Sequence, residues 1–452
     1  MIRIYNSLTN RMEAFKPIRE NEVSMYVCGS TVYDNIHIGN SRPVVFFDTV
    51  ARFFTFLGYQ VKFVSNFTDI DDKIIRKAKQ EETTETVISE RYIASILDTY
   101  RALNCLPHYK NPKVTETIPE IVQFIELLVE KKGAYVVDGD VYFAIDQVAD
   151  YGILSGQTKE KLIVGARIEE NEKKENPIDF NLWKKTEEGL RFPSPWSEGR
   201  PGWHTECVVM INSIFHGPID IHGGGLDLKF PHHDNEIAQA EVAFNHHIAN
   251  IWMHNGRIDM AGEKMSKSLG NIIWAHDLVR TIGYQVYRLL LLNVPYGQPM
   301  TYRPELITQA ETDLDKMMRP YIALKRKLQL EKKSIKVATS LTDASLKGLH
   351  QEFVEAMSND FNTANAITVL FKVAKLLNSM LRSPELNETL ASEVVFLFEQ
   401  LTWVLGIEKA LAPLTEEEID LVRKWQQARQ NKDFQTADHY REAVSQLGVF
   451  LS

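Results

Sequence analysis

With 452 residues, 44% apolar and 25% charged side chains, the chain is too long for one ordinary core, so about two to four domains are expected. The opening Met1-Ile2-Arg3-Ile4-Tyr5-Asn6 has no apolar signal core, and no run of about 18 uncharged apolar residues is available to span a membrane. Three cysteines (Cys28, Cys105 and Cys207) cannot all pair, which points to a reduced, cytoplasmic protein, and the net charge of −9 neither supports nor excludes an RNA partner.

Val23 to Cys28 is an apolar run ending at Gly29 and predicts a buried strand. A turn through His37 to Asn40 follows, with Pro43 suited to a first helical turn. Val44 to Leu57 reads as a buried helix with one polar stripe at Asp48, Arg52 and Thr55, stopped by Gly58. Gln60 to Ser65 predicts the next strand and Asp69 to Lys79 another helix, which makes a βαβ unit and a parallel α/β sheet. Between about 95 and 200 the pattern changes. Ile118 to Leu128 predicts an amphipathic helix closed by Gly133, Ala134–Val137 and Val141–Ile145 predict a hairpin, and 166 to 202 predicts an irregular insertion. The α/β pattern resumes at Ile219-Asp220-Ile221-His222, passes Gly223-Gly224-Gly225, and becomes helical from about Pro231. From about 300 onward the chain is helix-patterned, with Leu341–Met357, Ala364–Met380 and Ile419–Leu447 the clearest helices. The basic runs Lys325-Arg326-Lys327, Lys332-Lys333 with Lys336, and Arg423-Lys424 with Arg429 and Lys432 read as solvated helix faces.

Two stretches point to polyphosphate chemistry. Lys264-Met265-Ser266-Lys267-Ser268, between Gly262 and Gly270, can place two ammonium charges on a moving phosphate. His37-Ile38-Gly39-Asn40 sits where a strand becomes a helix; the helix N-terminus attracts phosphate, Gly39 permits close approach, and His37 and Asn40 can donate hydrogen bonds. Asn40 can donate but cannot carry charge. His232 and Glu236, four apart on a helix-patterned segment, can converge on one ion. Cys28 and Cys207 would complete a good zinc set, although a lone cysteine at a strand end such as Cys28 is more often a small buried hydrophobe and spacing alone does not show that the four residues meet.

HIGN at 37–40 with KMSKS at 264–268 resembles the signature pair of class I aminoacyl-tRNA synthetases. Tyr26-Val27-Cys28-Gly29, Asn66-Phe67-Thr68-Asp69-Ile70-Asp71-Asp72, Gly202 to Cys207, His222-Gly223-Gly224-Gly225, Pro231 to Glu236 and Asp360-Phe361-Asn362-Thr363 extend the resemblance along the chain, to the cysteinyl-tRNA synthetase family. The resemblance implies a Rossmann-like catalytic domain (1–95 and 203–300) split by a connective insertion (96–202), then a helical bundle (301–405) and a shortened anticodon-binding segment (406–452). It implies one zinc held by Cys28, Cys207, His232 and Glu236 and bound directly to the substrate thiolate. It implies that His37, Gly39, Asn40, Lys264 and Lys267 bind ATP, His37, Asn40, Lys264 and Lys267 acting in catalysis. It implies that Thr68, Trp203, His204 and Asp227 line the amino-acid pocket. The partners implied are L-cysteine, ATP with Mg2+, and tRNA(Cys), for a monomer with no membrane. The family usually runs on for a short segment past Gly448-Val449-Phe450-Leu451-Ser452. A mycothiol-type cysteine ligase shares the adenylate step, but residues 300 to 447 argue against it. A zinc hydrolase built on His232 and Glu236 leaves KMSKS unexplained, and an inactive paralogue leaves the lysines and metal candidates unexplained.

Overall fold

The computed structural model describes residues 1–159, 161–162, 173–260, 272–331, 338–383 and 385–449, and 263–264 by backbone alone. Lys267 and the rest of KMSKS after Lys264 lie outside the described residues. Met1–Thr281 with Tyr296–Tyr302 forms one compact unit, and Ile282–Pro295 with Arg303–Ser452 another.

In the first unit a hairpin of β1 (Arg3–Asn6) and β2 (Arg11–Ala14), absent from the sequence expectation, precedes the central strand β3 (Glu22–Val27). Helix α1 (Ile38–Phe56) starts at Ile38 rather than Val44, because His37 caps it, and Pro43 sits inside the first turns. Strand β4 (Gln60–Ser65) matches its expected span, and helix α2 (Asp72–Gln80) starts later than Asp69, on an Asp71 cap. Helices α3 (Glu85–Ala102) and α4 (Ile118–Glu130) lead to the expected hairpin of β5 (Ala134–Val137) and β6 (Asp140–Phe143). The stretch expected to be irregular contributes two more strands, β7 (Phe180–Lys185) and β8 (Gly199–Pro201), to a four-stranded antiparallel sheet in the order β5-β6-β7-β8. Charge and glycine there conceal a short strand whose adjacent Leu182 and Trp183 are both buried. Then come α5 (Glu206–Phe215), β9 (Ile219–Gly225), α6 (Asp234–Phe244) and β10 (Ala249–Asn255).

The main sheet is parallel, in the order β10-β9-β3-β4. From β3 the chain crosses through α1 to β4 on one side, and from β9 through α6 to β10 on the other. Strand order therefore reverses between β3 and β9, and the crevice beyond their carboxyl ends is where open α/β sheets bind ligands. Beyond the sheet, β11 (Ile258–Met260) pairs with β12 (Glu263–Lys264) and with β13 (Met300–Tyr302).

Asp48 and Arg52 of the polar stripe on α1 are buried with the rest of the helix. Arg52 Nε donates to Asp48 Oδ2 at 2.9 Å, while Asp48 Oδ1 accepts from Leu106 N at 2.7 Å and Arg52 Nη2 donates to Asn104 O at 2.5 Å, so the pair ties down the segment after α3. Arg42, 1% exposed, donates from Nη1 to Gly256 O and Gln298 O, both at 2.7 Å. Burial lowers its pKa to about 10, which leaves it charged at neutral pH.

The second unit is helical: Glu305–Leu330, Ala344–Ser358, Thr363–Arg382, Glu388–Leu405, Glu416–Gln430 and Phe434–Gln446. The expected Ile419–Leu447 helix is two helices, broken where Lys432 adopts φ +58° and Asp433 caps the second. Thr363–Arg382 is long and apolar enough by composition to cross a membrane, but Ile367, Leu370, Val373 and Leu377 are buried in the unit's core. At Asp360-Phe361-Asn362-Thr363, Asp360 and Phe361 both take positive φ, Asn362 caps the helix and Thr363 Oγ1 donates to Leu292 O. Two cations from the first basic run are structural: Lys325 pairs with Glu399 at 2.8 Å, and Arg326 donates to Leu447 O and Ala412 O. Lys424 pairs with Asp420, Arg429 lies over Trp425, and Lys332, Lys333 and Lys336 fall outside the described residues.

Arg42→Met would leave buried carbonyls without a donor and is expected to cost about 2–4 kcal/mol, read by urea denaturation of the first unit. A loss below about 0.5 kcal/mol, the range of surface changes, would show the guanidinium to be dispensable.

Candidate active site and metal cluster

At the start of α1, His37 Nδ1 accepts from Gly39 N at 3.1 Å and Asn40 N at 3.3 Å, and Asn40 Oδ1 accepts from His37 N at 3.4 Å. Ile38 N donates to Ile273 O and Ser41 N to His37 O. The first backbone donors of the helix are thus engaged internally, contrary to the expectation that they point at phosphate. What the turn presents is the helix dipole, the His37 Nε2 side of the ring and the Asn40 amide. With Nδ1 accepting, a neutral imidazole carries its proton on Nε2. Gly39 serves the cap itself, since a Cβ there would lie 2.9 Å from His37 Cε1.

Ala275 N donates to Ile36 O at 2.9 Å, and Trp274 bridges His37. The segment that follows KMSKS is therefore hydrogen-bonded to the HIGN turn, while Lys264 enters the stretch on β12. The described residues that flank KMSKS thus approach the HIGN turn at Ile273 to Ala275.

Cys28 follows β3, and its N–H donates to Gly223 O at 3.1 Å. Cys207 comes from the first turn of α5; His232 precedes α6 and Glu236 lies in its first turn. Their ligand atoms converge: Cys28 Sγ is 3.7 Å from Cys207 Sγ and 3.6 Å from Glu236 Oε1, Cys207 Sγ is 3.7 Å from His232 Nε2, and His232 Nε2 is 2.8 Å from Glu236 Oε1. A second group, Cys28, His222, His233 and Glu236, shares two of these residues, and either has ligand atoms within 4.8 Å of one another. Two thiols, imidazole and carboxylate brought together in a nearly water-free spot suit a metal ion better than they suit each other.

The protonation pattern reflects this crowding. The hydrogen bond from Cys28 leads in lowering Cys207 to about 6, against burial, while burial and the Cys207 charge push the Cys28 thiol well up. Burial opposes charge on His232, but Glu236 and Cys207 more than reverse it and raise it to about 10. Burial likewise opposes charge on Glu236, yet His222 and His232 hold it well below the usual carboxylate range.

Supporting contacts fix these groups. His222 Nε2 lies 2.6 Å from Glu236 Oε2, and His204 Nδ1 lies 3.0 Å from His232 Nδ1. Asn66 Oδ1 accepts from Gly29 N at 2.8 Å, and a Cβ at Gly29 would lie 1.6 Å from Asn66 O. His233 Nδ1 contacts His254 Nε2 at 2.9 Å. A cavity of about 310 Å³ opens over the site, lined by Cys28, His37, Asn40, Trp203 and Asp227 among others. Trp203, 42% exposed, stacks on His232 with ring centroids 4.4 Å apart. Thr68 and His204 are not among the residues lining the cavity; the Thr68 hydroxyl donates to buried Glu206 at 2.8 Å, and His204 stands behind His232. Sequence reading did not single out His222, His254, Asn66 or Glu206, and assigned no role to His233. Asn66, Glu206, His222 and His233 lie within segments that carry the family resemblance, and His254 lies in none of them. Cys105 belongs to neither ligand group.

Residues 14–312 match the family described as tRNA synthetases class I (C) catalytic domain, and residues 352–409 match the DALR domain. The chain is 44% identical over 458 aligned residues to the cysteine--tRNA ligase of Anoxybacillus flavithermus, covering 100% of this chain and 97% of that protein. It is 43% identical to the cysteine--tRNA ligase of Acholeplasma laidlawii, covering 99% of this chain and 100% of that protein. The fold is similar to that of Mycobacterium tuberculosis methionyl-tRNA synthetase in complex with methionyl-adenylate, with a TM-score of 0.62 at 16% identity over 89% of this chain and 93% of that one. A full-length match at this identity, with a catalytic-domain match over residues 14–312, means that the chain belongs to the class I tRNA synthetases of the cysteine type.

Proposed function

We propose that the chain is a cysteine–tRNA ligase: it activates L-cysteine with ATP, Mg2+ accompanying the nucleotide, to give cysteinyl-adenylate and pyrophosphate, and then transfers the cysteinyl group to the terminal adenosine of tRNA(Cys). The observation that carries this reading is a two-thiol, imidazole and carboxylate cluster opening into the same cavity as the His37–Asn40 turn. In the first step a carboxylate oxygen of cysteine attacks the α-phosphorus and pyrophosphate leaves. Charge grows on the bridging and terminal oxygens. His37 Nε2–H and the Asn40 amide would meet it from one side and Lys264 and Lys267 from the other, which favours the transition state over the ground state. In the second step a ribose hydroxyl of the tRNA attacks the carbonyl carbon and AMP leaves.

For the metal we propose zinc on Cys28, Cys207, His232 and Glu236. The two sulfurs stand 3.7 Å apart and Cys207 Sγ lies 3.7 Å from His232 Nε2, close enough that one ion would be held by all four residues. The contacts of His232 Nδ1 with His204 and of Glu236 Oε2 with His222 leave His232 Nε2 and Glu236 Oε1 facing the sulfurs, which favours this group over the one built on His222 and His233. When bound, zinc supplies a soft acceptor that prefers a thiolate to a hydroxyl, so cysteine is separated from serine without an editing step. Trp203 and Asp227 would shape the amino-acid pocket, with Thr68 and His204 holding it from behind. The division proposed for the chain is catalytic 1–95 and 203–300, insertion 96–202, helical bundle 301–405 and anticodon-binding segment 406–452.

Charging of unfractionated tRNA with radiolabelled cysteine tests the whole reading: acid-precipitable cysteine is expected, and ATP–pyrophosphate exchange that does not depend on cysteine would sink it. Metal analysis separates the two ligand groups. Cys207→Ser is expected to lose the metal and His233→Gln to keep it, and the reverse would assign the ion to His222 and His233. Lys267→Ala is expected to slow adenylate formation by roughly 10²- to 10³-fold, the scale of one lost transition-state donor; an unaltered rate would reduce the loop to a surface element.

A further inference from the structure

The cavity over the metal cluster has a second rim that the activation chemistry does not use. Its lining includes Tyr33, on the loop after β3, and Lys73, in the first turn of α2. The loop is pinned on both sides of the tyrosine. Val32 is fully buried and its N–H donates to Thr68 O at 3.1 Å, and Ile36 is 3% exposed and its carbonyl accepts from Ala275 N. Lys73 Nζ stands 5.3 Å from the Tyr33 ring centroid.

Helix α2 buries Ile74, Ile75 and Ala78 and turns its cations outward. Two of these are matched by carboxylates, Lys77 by Glu81 at 3.1 Å and Lys79 by Glu188 at 2.8 Å. Lys73 and Arg76, three apart and hence on one face, are exposed and have no ion pair among the described residues. An aromatic face at the mouth of a cavity, with Lys73 beside it and Arg76 one turn further along the same helix face, is the combination that binds single-stranded nucleic acid, base on ring and phosphate on cation. In a chain of net charge −9, of which several flagged cations are already engaged, this local excess is what a polyanion needs.

We propose that Tyr33, Lys73 and Arg76 receive the single-stranded 3′ end of the tRNA as it enters the cavity, Tyr33 by stacking on a base and the two cations by contacting phosphates. The proposal rests on the ligase reading above. It is tested in the full chain with Tyr33→Ala, Tyr33→Phe and the double variant Lys73→Gln, Arg76→Gln, each assayed for cysteine-dependent ATP–pyrophosphate exchange and for tRNA charging across a salt series. Exchange should be unchanged in all three. Tyr33→Ala should lower kcat/KM for tRNA roughly tenfold, the scale of one lost stacked base, and Tyr33→Phe should restore it. The double variant should flatten the log–log salt dependence by about 1.4, roughly 0.7 for each single-strand phosphate contact. A tRNA lacking its single-stranded 3′ end should compete equally against wild type and variants.

Charging that is unchanged in the variants, exchange that falls in parallel with charging, or unequal competition by the shortened tRNA would each overturn the assignment. A wild-type chain without cysteine-dependent exchange would instead overturn the ligase reading itself.

Discussion

One backbone hydrogen bond organises the site: Cys28 N–H to Gly223 O, 3.1 Å, at the end of the β3–β9 pairing. It joins two strands whose onward connections leave in opposite directions, and so creates the crevice in which ligands of open α/β sheets lie. Because β9 is followed by the turn that carries His232 and Glu236, the same pairing that seats Cys28 also brings in the other half of the ligand set. Gly223 is required there by packing, since a Cβ would lie 2.1 Å from the Phe47 ring. Asn66, at the end of β4, closes the arrangement from the third strand through Gly29.

The metal cluster and the phosphate turn follow different physical logics. The cluster concentrates charge in a buried place, where each group is tolerable only because another stands against it: Cys207 against Cys28, His232 against Glu236. Such a set is costly until a cation replaces its protons. The phosphate turn spends its backbone donors on its own capping box and on Ile273, so the groups it turns outward are side chains. This also accounts for asparagine at position 40. Its carbonyl oxygen accepts from His37 N, closing the cap, while its amide keeps a donor for a ligand.

Much of the fold could be read locally. Strand β4 and the hairpin β5–β6 follow from alternation and turn residues, and helix Thr363–Arg382 follows from its apolar period. The errors share a cause. The start of α1 was placed at the proline rather than at the histidine cap because histidine is an uncommon N-cap. Strands β7 and β8 were passed over because their pairing partners lie elsewhere in the chain, and propensity in short strands is mostly a matter of context. The polar stripe of Asp48 and Arg52 on a buried helix is legible in the sequence, but periodicity does not say that the two pair with each other.

Residue types and short spacings are enough to establish chemistry and local geometry: which residues can ligate, donate or cap, and that His232 and Glu236 share a helical face. These are properties of residue type and of spacings within one or two turns. The folded chain alone shows that Cys28 and Cys207, 179 residues apart, stand 3.7 Å from each other, and that His222 and His204 hold Glu236 and His232 from behind. It also shows that Lys325 and Arg326 are spent on Glu399 and on backbone carbonyls. The reason is that long-range proximity is set by strand order and core packing, and neither leaves a mark on the individual segments that it brings together.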